Sequence, residues 1–276
     1  MASTIEDLSK LCVHTITTKP WSLSQSVENY SREGIKGITV WRDALGDYSH
    51  EDAGKMIRDY GLDIVSYCRG GFFPHLELSG RQEAIDDNKK MIDEAQALGA
   101  PLIVLVCGAS PGQSLAESRK QITEGIAAVL PHAEAAGVKL GIEPLHPMYA
   151  DTRSAVNTMK QSNDICDQLG SKYLGVAADV YHIWWDDQLE QEIKRCGESG
   201  YLFAFHICDW KNPTEDLLLD RGLMGEGVID IPMIRGWVEE AGFSGYNEVE
   251  IFSKKYWEGD QLDFLKKIKE AYLTHS

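Results

Sequence analysis

The chain has 276 residues, 43% of them apolar and 25% charged, and no apolar run approaches the ~20 residues that a bilayer-spanning helix needs. Its 43 acidic against 27 basic residues give a formal net charge of −16, which repels phosphodiester backbones and anionic lipid surfaces, so neither nucleic acid nor a membrane is expected as a partner. The N-terminal MASTIEDLSK carries acidic residues and no apolar core, unlike a secretory signal, and a cytoplasmic protein is expected.

Strand-length apolar runs are predicted in chain order at 11–16 (LCVHTI), 37–41 (GITVW), 62–68 (LDIVSYC) and 101–107 (PLIVLVC). Four more follow at 138–143 (VKLGIE), 173–179 (YLGVAAD), 201–207 (YLFAFHI) and 246–252 (YNEVEIF). Helical patterns alternate with them. One opens at Ser49 in SHEDAGKMIRDYG, where Ser49 and Asp52 approximate a capping box. Another carries Ile85, Met91, Ile92, Ala95 and Leu98 near a 3.6-residue spacing, which makes Met91 core filler. In QALGAP, EAAGVK, QLGSKY, GESGYL and EEAGFS a glycine follows the helical pattern, as a left-handed cap requires.

Eight strand-then-helix units with no Pro/Ser-rich linker between them predict an α/β fold, a closed (β/α)8 TIM barrel forming a single domain over residues 1–276. An open doubly wound sheet is the alternative, but no GxGxxG follows the first strand. Six cysteines without a CxxC pair fit reduced, mostly buried thiols, with Cys68, Cys107 and Cys208 near strand ends.

A parallel barrel gathers the C-terminal ends of its strands on one rim, where active sites are built. Glu143 closes the fifth strand, Asp179 closes the sixth, His206 comes late in the seventh and Glu250 late in the eighth. A carboxylate after the apolar run VKLGI needs a partner, because burying it unpaired costs several kcal/mol or forces it to take up a proton. Three carboxylates and an imidazole suit one divalent cation, Mn2+, Mg2+ or Co2+, better than a thiolate zinc site. Any one of these residues alone reads as a buried ion pair or an exposed side chain; four at equivalent strand ends favour a metal site. Glu248 shares a face with Glu250 but lies farther from the rim, so it is expected one layer deeper or paired with a neighbour. His182, three positions after Asp179, and Arg221, in DRGLMGEGVID, are candidates to contact substrate, each against the alternative of a surface side chain. Trp184 and Trp185 either wall a sugar ring or pack loops, and His14, Arg42, Arg69 and His146 have weaker cases at strand ends.

GIEPLHP, DVYH at 179–182, FHICD, RGLMGEGVID and the closing VEIF resemble the sugar phosphate isomerase/epimerase superfamily with the xylose isomerase-like barrel, which includes tagatose/psicose 3-epimerases, hydroxypyruvate isomerases and inosose dehydratases. The resemblance implies that Glu143, Asp179, His206 and Glu250 bind one divalent ion, usually manganese. It further implies that Glu143 and Glu250 are the catalytic acid/base pair and that His182 and Arg221 bind the substrate, a small-molecule sugar. WKNPTEDLLLD, before Arg221, is longer than the loop usual in this group. Endonuclease IV shares the barrel but adds histidines at the second to fourth strand ends, which here read TVWRD, SYCRGG and VLVCGASPG.

The expected activity is metal-dependent isomerisation or epimerisation through an enediolate, with dehydration of a keto-sugar or keto-inositol as the alternative and a non-catalytic sugar-binding barrel as the third reading. Glu226, between Gly225 and Gly227, would repel a phosphate at that turn, which favours a neutral sugar over a sugar phosphate. Barrels of this group often associate, so a homo-oligomer is an open expectation.

Overall fold

The computed structural model describes residues 4–276. Its strands are β1 (Leu11–His14), β2 (Gly37–Trp41), β3 (Asp63–Gly71), β4 (Leu102–Val106), β5 (Lys139–Glu143), β6 (Leu174–Asp179), β7 (Leu202–Ile207), β8 (Asp209–Trp210), β9 (Arg221–Gly222) and β10 (Asn247–Val249). β1 pairs in parallel with both β2 and β10, and β10 pairs with β7, so the eight long-range strands close into a barrel with no free edge. β8 and β9 form a small antiparallel ribbon on the rim. The fold is the expected (β/α)8 TIM barrel.

Most strand boundaries shift by one or two residues from the sequence reading, and two larger differences matter at the rim. β3 runs on to Gly71, because its ladder with β4 resumes after a shift between Cys68 and Gly70 that leaves Arg69 as the extra residue of a bulge. The last strand is shorter than 246–252. It stops at Val249, since the Thr17 hydroxyl takes the Ile251 N–H at 3.0 Å in place of a neighbouring strand.

The helices are α1 (Leu23–Arg32), α2 (His50–Asp59), α3 (Leu78–Leu98), α4 (Leu115–Ala136), α5 (Met159–Leu169), α6 (Val180–Ile183), α7 (Leu189–Glu198), α8 (Ile231–Glu240), α9 (Lys254–Trp257) and α10 (Gln261–His275). Ser49 caps α2 by accepting the Asp52 N–H at 3.1 Å. Gly99, Gly137 and Gly170 end α3, α4 and α5 in the left-handed conformation. α7 and α8 are capped by Ser199 and Ala241, one residue before their glycines. No helix among the described residues is long and apolar enough to cross a membrane.

Burial separates two apolar layers. The larger lies between strands and helices and takes Met91, Ile92, Ala95 and Leu98 from α3, with Ile85 half-buried at its margin. The smaller fills the barrel interior with Ile16, Trp41, Cys68, Leu102, Val104, Ala177 and Ala204. All six cysteines are free and buried.

Helix α2 approaches α3 at Gly54, where a Cβ would fall 2.1 Å from the Leu98 carbonyl oxygen. In a helix interior alanine is ordinarily better than glycine by about 1 kcal/mol. At this position the clash outweighs that preference, and Gly54→Ala should cost about 1–3 kcal/mol in urea unfolding. A stabilised variant would show that the two helices can move apart freely.

Candidate metal centre

The strand ends deliver four side chains to one point. Glu143 ends β5, Asp179 ends β6, His206 is the penultimate residue of β7, and Glu250 follows β10 with its N–H still bonded to the Ile207 carbonyl at 3.2 Å. All four are buried, and one nitrogen or oxygen from each lies within 4.8 Å of the other three. His206 Nδ1 is 3.2 Å from Glu143 Oε1, yet both atoms lack a hydrogen-bond partner. Buried polar atoms without partners are uncommon. Oxygen and imidazole donors facing a shared centre in this way fit a divalent cation.

Arg221 is not a surface residue. It opens β9 and is buried, with Nη1 donating to Asp179 Oδ2 at 2.9 Å and to Glu250 Oε2 at 2.8 Å. Its guanidinium lies over the Tyr181 ring at 4.3 Å. The long segment before it folds back as the β8–β9 ribbon, and Asp209 fixes the following turn. The Asp209 carboxylate accepts the N–H groups of Trp210, Gly225, Gly227 and Ile229 at 2.8–3.0 Å. Gly227 is required there, since a Cβ would sit 2.1 Å from the Trp210 carbonyl oxygen. His182 is buried in α6. Its Nδ1 accepts the His146 N–H at 3.2 Å and its Nε2 lies 3.1 Å from Arg221 Nη2. Burial and the Arg221 charge hold this imidazole well below its ordinary pKa, so it is neutral.

Glu248 lies one layer deeper than Glu250 and is also paired. Its Oε2 accepts the Thr39 hydroxyl at 2.6 Å and the Ser66 hydroxyl at 3.1 Å, and lies 3.1 Å from His14 Nε2 and 3.8 Å from His206 Nε2. His14 Nδ1 in turn is 3.2 Å from Glu250 Oε1. A carboxylate behind a ligating histidine is the usual way to fix that ring's orientation. Sequence reading marks His14 as a strand-end residue, but its ring partners are Trp41 of β2 and Glu248 and Glu250 at β10, which no local pattern announces.

Above the four side chains is a narrow cavity walled by Trp41, Arg69, Tyr149, Arg153, Leu218 and Phe252, with Glu143, Glu250, His182 and Arg221 at its floor. Tyr149 and Arg153 escape sequence reading because they follow β5 in an irregular segment. Trp184 and Trp185 do not wall the cavity: Trp184 packs on Trp210 at 5.7 Å and Trp185 is exposed. Arg42 points away to Asp87 and Glu94 of α3. A larger cleft of about 620 Å³ lies across Trp41, near Trp21 and Tyr48, but it contains none of the four converging groups, so the chemistry belongs to the smaller cavity.

Barrel and centre together define a class, and the chain belongs to it: residues 27–268 match the family of xylose isomerase-like TIM barrels. A Bacillus velezensis protein named inosose isomerase is 26% identical over 276 residues, spanning 95% of each chain. A crystal structure of a Sinorhizobium meliloti 1021 protein superposes with a TM-score of 0.94 at 46% identity, covering 98% of this chain and 99% of that one. The IolI protein, crystallised with a bound zinc atom, has the same fold at a TM-score of 0.83 and 23% identity, with 96% of each chain covered.

Burial, reinforced by Glu250 and Glu143 and opposed by Arg221, raises the Asp179 carboxyl to about 7. Burial alone would lower His206, but Glu248, Glu143 and Glu250 outweigh it and raise the imidazole to about 10. A ligating imidazole must be neutral and a ligating carboxylate bare, so cation binding has to displace protons. Titrating Mn2+ into metal-free protein near neutral pH should therefore release protons, seen as a dependence of the calorimetric enthalpy on buffer ionisation, with affinity rising with pH. Affinity independent of pH would exclude this ligand set. Glu248→Gln should weaken Mn2+ binding about 10–100-fold with the fold retained; unchanged affinity would reduce Glu248 to a packing role.

Proposed function

We propose that the protein is a divalent-cation-dependent isomerase or epimerase that moves a proton next to the carbonyl of a ketose or keto-inositol. The observation that carries this reading is the presence of two carboxylates, Glu143 and Glu250, lining one cavity and within one cation-sized cluster. Similarity to proteins named inosose isomerase supports a carbohydrate substrate. Glu143, Asp179, His206 and Glu250 would hold the ion; their hard oxygen-rich donor set suits Mn2+, with Mg2+ and Co2+ as alternatives. A bound divalent cation supplies Lewis acidity, favouring negative charge on the substrate oxygens.

The chain's own groups then divide the work. Glu143 would hold the ion through Oε1 and accept the proton from the carbon beside the carbonyl with its other carboxylate oxygen. Glu250, held by Arg221 and His14, would return a proton to the opposite face and produce the epimer. Return to the neighbouring carbon converts ketose to aldose. Arg221 and His182 on the cavity floor are placed to donate to substrate oxygens. A dehydration would need an acid for the departing hydroxyl. His182, held below its ordinary pKa by burial and the Arg221 charge, is a weak acid for that step.

Glu143→Gln should lower exchange of substrate carbon-bound hydrogen for deuterium, followed by NMR in D2O, by about 10²–10⁴-fold while circular dichroism stays native. Near-normal exchange would remove Glu143 from the mechanism. Prolonged chelation should abolish turnover, and Mn2+ or Co2+ should restore it. Full activity in a sample verified to be metal-free would defeat the cation requirement.

A further inference from the structure

The cavity above the candidate centre is walled by two arginines that the proton transfer does not use. Arg69 is the extra residue of the β3 bulge, and a bulge turns one side chain out of the ladder at the cost of local pairing. Its guanidinium lies over the rings of Trp41 at 5.6 Å and Phe72 at 5.0 Å. Arg153 approaches from the segment after β5, over the Tyr149 ring at 5.4 Å. Both line the cavity whose floor holds Glu143 and Glu250.

Arg42, Arg195, Arg221 and Arg235 pair with carboxylates, and Arg58 and Arg119 donate to backbone carbonyls. Among the described residues, Arg69 and Arg153 form neither an ion pair nor a side-chain hydrogen bond, only ring contacts. Ring contacts position a guanidinium without cancelling its charge. Burial and then the neighbouring Arg153 charge push Arg69 below its ordinary pKa. The free room in the cavity is only about 20 Å³, space for a water or two, so any molecule reaching Glu143 must touch these walls. With a dication in place, the three ligand carboxylates would be outweighed by that ion and three guanidiniums, leaving a positive mouth on a protein of net charge −16.

We propose that Arg69 and Arg153 form an anion subsite, and that the substrate is a keto sugar bearing a carboxylate or a phosphate at the end remote from the reacting carbon. The identity of that reacting end rests on the proton-transfer reading; the subsite itself rests on the arginines. Guanidinium forks match both kinds of anion. The turn at 225–227 plays no part, because the Glu226 carboxylate there is engaged by the Tyr256 hydroxyl at 2.5 Å and the Leu223 N–H at 3.0 Å.

The test uses manganese-loaded protein in two arms. Deuterium exchange in D2O compares neutral D-fructose and scyllo-inosose with D-fructose 6-phosphate and 5-keto-D-gluconate; one of the charged pair should exchange at least tenfold faster than either neutral sugar, and which one identifies the anion. In the second arm, calorimetry follows inorganic phosphate and D-gluconate binding to the wild type and to Arg69→Met and Arg153→Met, substitutions that keep the apolar stem on the rings. The dissociation constant of the preferred anion should rise about tenfold for each arginine removed. Equal exchange of neutral and charged sugars, or anion affinity unchanged in the double variant, overturns the subsite and leaves the proton-transfer reading standing. Arginine-dependent anion binding with no exchange of any sugar supports the subsite and defeats the proton-transfer reading instead.

Discussion

Three carboxylates cannot share a buried barrel mouth unless positive charge joins them, and most of the site's construction follows from that constraint. Asp179 and Glu250 receive part of the compensation from Arg221, at 2.9 and 2.8 Å. Glu250 receives more from His14. Glu143 and His206 are left 3.2 Å apart with unpartnered atoms turned to the same centre, which a divalent ion would complete. A removal that spares the other charges would leave a buried ion without a counter-charge, so the cluster behaves as a unit rather than as four separate ligands.

The second layer shows why β10 carries two glutamates of the same facing. Glu250 reaches the centre, and Glu248 collects His14, Thr39 and Ser66 from the three strands on the far side of the barrel seam. Because strands β1, β2 and β3 thereby touch the support of His206, the N-terminal half contributes to a site whose four converging side chains all come from the second half. A closed barrel makes this economical in distance: residues 234 positions apart, His14 and Glu248, are adjacent through β1–β10 pairing.

The architecture was legible in the sequence because it rests on local patterns. Glycines after helical stretches and apolar runs of strand length locate all eight barrel strands, and the polar residue at the end of each of the last four marks the rim. What local pattern does not encode is where a chain departs from its ladder. The bulge that frees Arg69 looks like ordinary strand, and the early end of β10 depends on a hydroxyl from Thr17. Arg221 reads as a substrate-contact candidate on a loop, but nothing in WKNPTEDLLLD signals that the segment folds back as a ribbon and buries it. Arg153 lies in an irregular segment without period, so its approach to Arg69 emerges only in three dimensions.

Asp209 touches neither the centre nor the cavity, yet its carboxylate gathers four backbone N–H groups into the turn that follows Arg221. Asp209 also pairs with Gly222 across the ribbon, next to the guanidinium-bearing Arg221 that sits between Asp179 and Glu250. Loss-of-function alleles at this aspartate would therefore masquerade as lesions of the reacting groups, and a catalogue of inactive mutants compiled without coordinates would assign it a chemical duty it does not have.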